Sequence, residues 1–171
     1  MAEEFYQANC TSLRSNHEGS NLVVNWERPP SQFFKINVDR ALKTDNSVRG
    51  LGVAIRDDRG ELIAAAAKLV CGMFTPNVTE LFTIRFGLQL AMDLGLKHIY
   101  LESDAQAAIR MALQCDADLG YEGVFVNEIQ VLANSFHSCF GQFRPRTCNR
   151  VAHSLAVSFY FGPYSLDERW T

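Results

Sequence analysis

Three carboxylates of this chain, Asp39, Glu80 and Asp104, stand where elements of regular structure begin or end, 41 and then 24 residues apart along the sequence. Acids brought together repel one another, and a fold keeps such a group only when cations neutralise it. Hard divalent ions such as Mg²⁺ take oxygen ligands, so converging carboxylates point to metal-ion chemistry. Two of the acids also have a plainer reading. Glu80 suits the third position of a capping box begun by Asn77, and Asp104 or Ser103 suits the cap of the helix that follows. Asp39 resists such a reading, because Asp is depleted in strands and this one follows apolar core positions.

The elements that must position these acids are written in the periodicity. Phe34, Ile36 and Val38 alternate with Lys35, Asn37 and Asp39, which puts the apolar side chains on one face of a strand and Asp39 on the other. A second strand over Leu51 to Asp57 and a third over Glu61 to Val70 flank the turn residues Asp57-Asp58-Arg59-Gly60, giving an antiparallel meander. Thr75-Pro76 then opens a helix with Leu81, Ile84, Leu88 and Ala91 on one stripe, closing near Gly95. His98 to Ser103 reads as a strand, Ala105 to Gln114 and Gly123 to Phe136 as helices, Phe140 to Arg146 as a fifth strand, and Val151 to Phe159 as a closing helix. If the strand ending at Asp104 pairs with the strand bearing Asp39, and the first helix lies across that sheet, the three acids converge at one end.

Composition narrows the classes. In 171 residues, 47% are hydrophobic and 20% charged, which excludes disordered, collagen-like and disulfide-scaffold chains. A formal charge of −3 argues against a non-specific polyanion binder held by net charge. The longest apolar stretch, Leu62 to Ala67, falls far short of the ~20 residues of a membrane helix, and Glu3 and Glu4 stand where a signal peptide would be basic. Cys10, Cys71, Cys115, Cys139 and Cys148 are widely spaced with no CxxC pair, as expected of buried or indifferent thiols in a reducing compartment. The expected setting is intracellular, nucleus or cytoplasm, without secretion. Residues 1–30 read as a polar leader and 31–171 as one domain, with the aromatic tail Phe159, Tyr160, Phe161, Tyr164 and Trp170 expected to pack.

Taken in order, Trp26-x-x-Pro-Pro, Lys35-Ile-Asn-Val-Asp39, Arg49-Gly-Leu-Gly-Val-Ala-Ile-Arg-Asp57, Thr79-Glu80, Leu101-Glu-Ser-Asp104 and Arg146-x-x-Asn149-x-x-Ala152-His153-x-Leu155-Ala156 resemble the plant ribonuclease H-like domain family, linked to the reverse transcriptases of non-LTR retroelements. The resemblance runs from about Trp26 to Trp170, and its weight lies in several short motifs in order at fitting spacings. It implies an α/β fold with a mixed five-stranded sheet flanked by helices, in the order βββαβα then βα. It further implies hydrolysis of the RNA strand of an RNA/DNA hybrid, with two Mg²⁺ (or Mn²⁺) ions held by Asp39, Glu80 and Asp104. His153 matches the position of a fourth catalytic acid. Arg40, Gly52, Gln106, Arg146 and Asn149 are then the expected nucleic-acid contacts, Gly52 through a Gly50-Leu51-Gly52 turn that lets backbone approach the hybrid.

Two departures matter. The family usually has Gly-Ala after the first aspartate, whereas Arg40-Ala41 follows it here and sets a long cation beside the proposed metal centre. His153 is a poorer ligand for Mg²⁺ than a carboxylate, and more acceptable to Mn²⁺. They motivate the alternative of a weak or inactive ribonuclease H-fold module that binds nucleic acid or protein without turnover.

Overall fold

The computed structural model describes residues 25–42, 48–114 and 120–161. Five strands, β1 (Phe34–Leu42), β2 (Val48–Arg56), β3 (Leu62–Cys71), β4 (His98–Ser103) and β5 (Ser138–Phe143), form one sheet in the order β3-β2-β1-β4-β5. β1 runs antiparallel to β2, and β2 to β3, while β4 lies parallel to β1 and β5 parallel to β4. Parallel neighbours need crossover connections, and the helices supply them. These are α1 (Pro76–Asp93), α2 (Gln106–Gln114), α3 (Tyr121–Asn134) and α4 (Arg150–Phe161).

The alternation in β1 sorts the layers. Ile36 and Val38, with Val53 and Ile55 of β2 and Ile99 and Leu101 of β4, face a fully buried stripe of α1 formed by Leu81, Ile84 and Leu88. Ile109 of α2 and Ile129 of α3 complete that core. Gly87 lets α1 close onto the sheet: a Cβ there would meet Val38 and Ile36 side chains. The opposite face of β1 and β2 is covered by α4.

That opposite face also buries charge. Lys35 Nζ stands 2.7 Å from Glu102 Oε1, and Asn37 Nδ2 donates to Glu102 Oε2 at 3.0 Å. The Trp26 indole donates to Asn37 Oδ1 at 3.0 Å, and the Arg56 guanidinium lies 4.9 Å from the Trp26 ring centroid. A buried carboxylate is tolerable only with such partners.

Several expected boundaries move. β2 starts at Val48 rather than Leu51, and α3 is displaced two residues toward the N-terminus. β5 is Ser138–Phe143 rather than Phe140 to Arg146, because Pro145 has no N–H for a ladder and Arg146–Cys148 closes into a 3₁₀ turn. Gly50-Leu51-Gly52 is no turn. It lies inside β2 beneath α4, where a Cβ at Gly50 would collide with the carbonyl of Ala156 and one at Gly52 with the carbonyl of Ala152. Missing side chains serve helix packing there, so the backbone expected at a hybrid is buried instead.

Cys71, Cys139 and Cys148 form no disulfide among the described residues, and burial pushes the Cys139 thiol up to about 12. Cys10, Cys115 and the tail beyond Phe161 lie outside the described residues, as do the side chains of Phe159, Tyr160 and Phe161. No helix among the described residues is long and apolar enough to cross a membrane.

Candidate active site

Asp39 sits opposite Gly52 in the β1–β2 ladder, on the face covered by α4. The β1–β4 ladder ends at Val38 and Ser103, one residue before Asp39 and Asp104, so parallel pairing delivers both acids to the same sheet end. Glu80 reaches that end from the first turns of α1. It is not part of a capping box: Thr75 is the N-cap, accepting from Val78 N–H at 3.3 Å, and Glu80 turns to Arg40. Ser103 Oγ accepts from Ala105 N–H at 3.1 Å, a local task that leaves Asp104 free to face the site.

Each carboxylate has a basic side chain of the protein beside it. His153 Nδ1, on the first turn of α4, stands 2.8 Å from Asp39 Oδ2. Arg40 Nε donates to Glu80 Oε1 at 2.6 Å, and Arg146 Nε to Asp104 Oδ2 at 3.1 Å. The backbone N–H of Arg40 also donates to Asp39 Oδ1 at 2.8 Å, so one residue engages two of the acids.

The acids feel one another. Burial, then the charge of Asp104, holds the Asp39 carboxyl above its ordinary range, with the hydrogen bond from His153 opposing. Burial pushes Glu80 up to about 7, with the Arg40 guanidinium pulling down and the charges of Asp104 and Asp39 pushing up. Arg146 is raised by its hydrogen bond to Asp104.

The shift at Glu80 has a thermodynamic sign. Its carboxyl ionises near 4.5 when unfolded and near 7 when folded, so between those values the folded chain keeps a proton that the unfolded chain has lost. The stability so conferred is complete below the lower value and lost as pH rises through the upper one, about 3 kcal/mol in all. In metal-free buffer, wild-type thermal stability is expected to fall as pH rises from about 5 to about 8, and more shallowly in Glu80→Gln. Equal slopes in melts of the two proteins would refute the assignment.

The expected site residues divide. Asp39, Glu80, Asp104 and His153 lie at one end of the sheet. Arg40 and Arg146 join them by holding acids. Gln106 is exposed at the start of α2. Asn149 does not reach a ligand surface: it is 1% exposed, and its Nδ2 donates to the Val38 carbonyl at 2.6 Å, tying the entry of α4 to β1. Gly52 is buried as described. The pairing of Arg40 with Glu80 went unread, although a long cation next to a strand acid was its visible trace.

Carboxylate oxygens suit a hard divalent ion, and Glu80 Oε2 is buried without a hydrogen-bond partner, an orphan that an ion would satisfy. The donors therefore fit. Their arrangement is not yet a ligand shell: among the described residues no three His, Cys, Asp or Glu side chains stand grouped to hold a metal ion, and each acid meets a basic side chain of the protein instead.

A central parallel β1–β4 pair, an antiparallel meander on one flank and acids at the shared strand end define a ribonuclease H-like domain. The N-terminal RNase H domain of a Mycobacterium tuberculosis protein superposes with a TM-score of 0.66 at 21% identity, covering 74% of this chain and 91% of that one. RNase H1 of Halobacterium salinarum gives 0.65 at 21% identity over 72% and 94%. LC11-RNase H1, solved in complex with an RNA/DNA hybrid, gives 0.64 at 17% over 73% and 94%. No curated protein matches the chain. Residues 37–158 match the reverse transcriptase-like family, and the chain belongs to it.

Proposed function

We propose that this domain binds RNA/DNA hybrids and hydrolyses their RNA strand with divalent metal. The observation that carries the reading is the delivery of Asp39, Glu80 and Asp104 to one sheet end by β1, α1 and β4. The same fold in a protein solved on a hybrid supports it. Mg²⁺ or Mn²⁺ bound by these acids would polarise the scissile phosphate and lower the pKa of the attacking water. Water adds to phosphorus and the bond to the 3′ oxygen breaks, leaving a 5′ phosphate. His153 fixes the Asp39 carboxylate from α4, and Arg146, 67% exposed, is free to exchange Asp104 for a backbone phosphate. The plant, retroelement-linked branch of the family and an intracellular setting belong to the same proposal, resting on the motifs and on the wide spacing of the five cysteines in the sequence.

A second reading, hybrid binding without turnover, draws on Arg40 lying 2.6 Å from Glu80. A labelled hybrid incubated with the protein in Mg²⁺ and in Mn²⁺ separates the two. Cleavage to 5′-phosphate products, absent with Asp104→Asn, is the expected result. Retention of the hybrid with no cleavage above that variant in either ion would overturn the nuclease and leave the binder.

A further inference from the structure

On the face of the sheet that α4 covers, the helix packs on β1, β2 and β3. Beyond it, β4 and β5 set Tyr100 opposite Phe140 and Glu102 opposite Gln142. Ile99 and Leu101 point into the core, so the alternation of β4 turns Tyr100 and Glu102 outward. Phe33, just before β1, adds a third ring, its centroid 5.3 Å from that of Tyr100 and 5.9 Å from that of Phe140, with 5.4 Å between the last two. All three rings are half-buried, so each keeps part of its apolar surface in water.

Positive charge gathers beside these rings. Lys35 Nζ lies 2.7 Å and Arg144 Nε 3.5 Å from Glu102 Oε1, and Arg56 is close enough to feel the same carboxylate. One buried acid does not balance three cations. Glu27 takes Arg144 Nη2 at 3.3 Å, but its side chain is 72% exposed, and water screens such a pair. Arg28, itself exposed, lines with Lys35, Arg144, Tyr100 and Gln142 a cleft of about 360 Å³, the size of a small-ligand site.

Aromatic surface beside surplus guanidinium charge suits a chain of phosphates that carries unpaired bases. The rings take base faces, and Arg28 and Arg144 take phosphates in the planar, two-point manner of arginine. A duplex keeps its bases stacked on one another and has none to offer the rings. An apolar protein segment would cover the rings and leave the cations unmatched.

We propose that the outer face of β4 and β5, with the cleft beside it, is a binding site for single-stranded nucleic acid, separate from the acids at the sheet end. The site stands whether or not those acids cut a hybrid.

Fluorescence anisotropy of the full chain with labelled oligo(U) and oligo(dT), in low and in moderate salt, tests the site, with a blunt-ended RNA/DNA hybrid as the comparison. Wild type is expected to bind single strands at micromolar concentration in low salt and several-fold more weakly in moderate salt. Phe140→Leu keeps an apolar side chain on the edge strand and removes the ring. It is expected to weaken single-strand binding about tenfold and to leave the blunt hybrid unchanged. Arg28→Gln, at an exposed position, is expected to weaken it about threefold with a shallower salt dependence. No binding of either oligonucleotide in low salt would overturn the proposal and leave the face to a protein partner. Single-strand affinity unchanged in both variants, or equal losses for single strand and hybrid in Phe140→Leu, would overturn it as well. Oligonucleotide binding without hybrid binding keeps this site and removes the hybrid reading, and hybrid binding alone does the reverse.

Discussion

Asp39→Asn is expected to lower hybrid cleavage by about a thousandfold or more, the equivalent of ~4 kcal/mol of transition-state stabilisation. The amide keeps the size of the side chain and still accepts the Arg40 N–H, but it carries no charge to hold a cation. Stability should not follow activity down. Burial and the nearby charge of Asp104 hold the Asp39 carboxyl above its ordinary range, so the fold prefers this group uncharged. In metal-free buffer at neutral pH the variant should melt at or above the wild-type temperature. Single-turnover cleavage and a thermal melt on the same preparations test both halves. Cleavage within tenfold of wild type would remove Asp39 from the centre.

The second large effect is structural. Gly52→Val is expected to destabilise the chain by more than about 4 kcal/mol, well beyond the usual cost of one substitution. A side chain there meets the backbone of Ala152 and Ala156 rather than the movable end of another side chain. Relief requires α4 to lift from β2, and lifting α4 withdraws His153 from Asp39. Urea denaturation gives the measurement, and a loss below about 1 kcal/mol would mean that α4 does not pack this closely on β2.

Local patterns carried most of the architecture. The alternation from Phe34 to Asp39 and the helical stripe from Leu81 to Ala91 identify β1 and α1, and β4 falls on His98–Ser103 as expected, because each element has one face in the core. β5 was harder to place, since its residues are only partly buried and no sharp apolar alternation marks its ends. Gly50 and Gly52 were legible as positions needing no side chain. Whether the cause was a turn or a helix laid across them depended on a segment a hundred residues downstream, which no local pattern reports. Asn149 misled for the same reason: a polar side chain beside arginines suggests a ligand contact, and only the docked α4 shows it tied to Val38. The three acids were recoverable by type, spacing and motif. Their partners Arg40, Arg146 and His153 follow from side-chain geometry across the assembled fold, which sequence spacing does not encode.

The dependence of Asp39 on α4 has a consequence for timing during synthesis. The helix that brings His153 is the last described element to leave the ribosome, after every strand of the sheet. A nascent chain carrying β1 through β5 already holds all three acids, yet Asp39 lacks its imidazole partner and the glycine face of β2 stands open. Emergence of the segment that carries α4 is thus the step that completes the centre, and chains stalled or cleaved before residue 150 would lack a finished one.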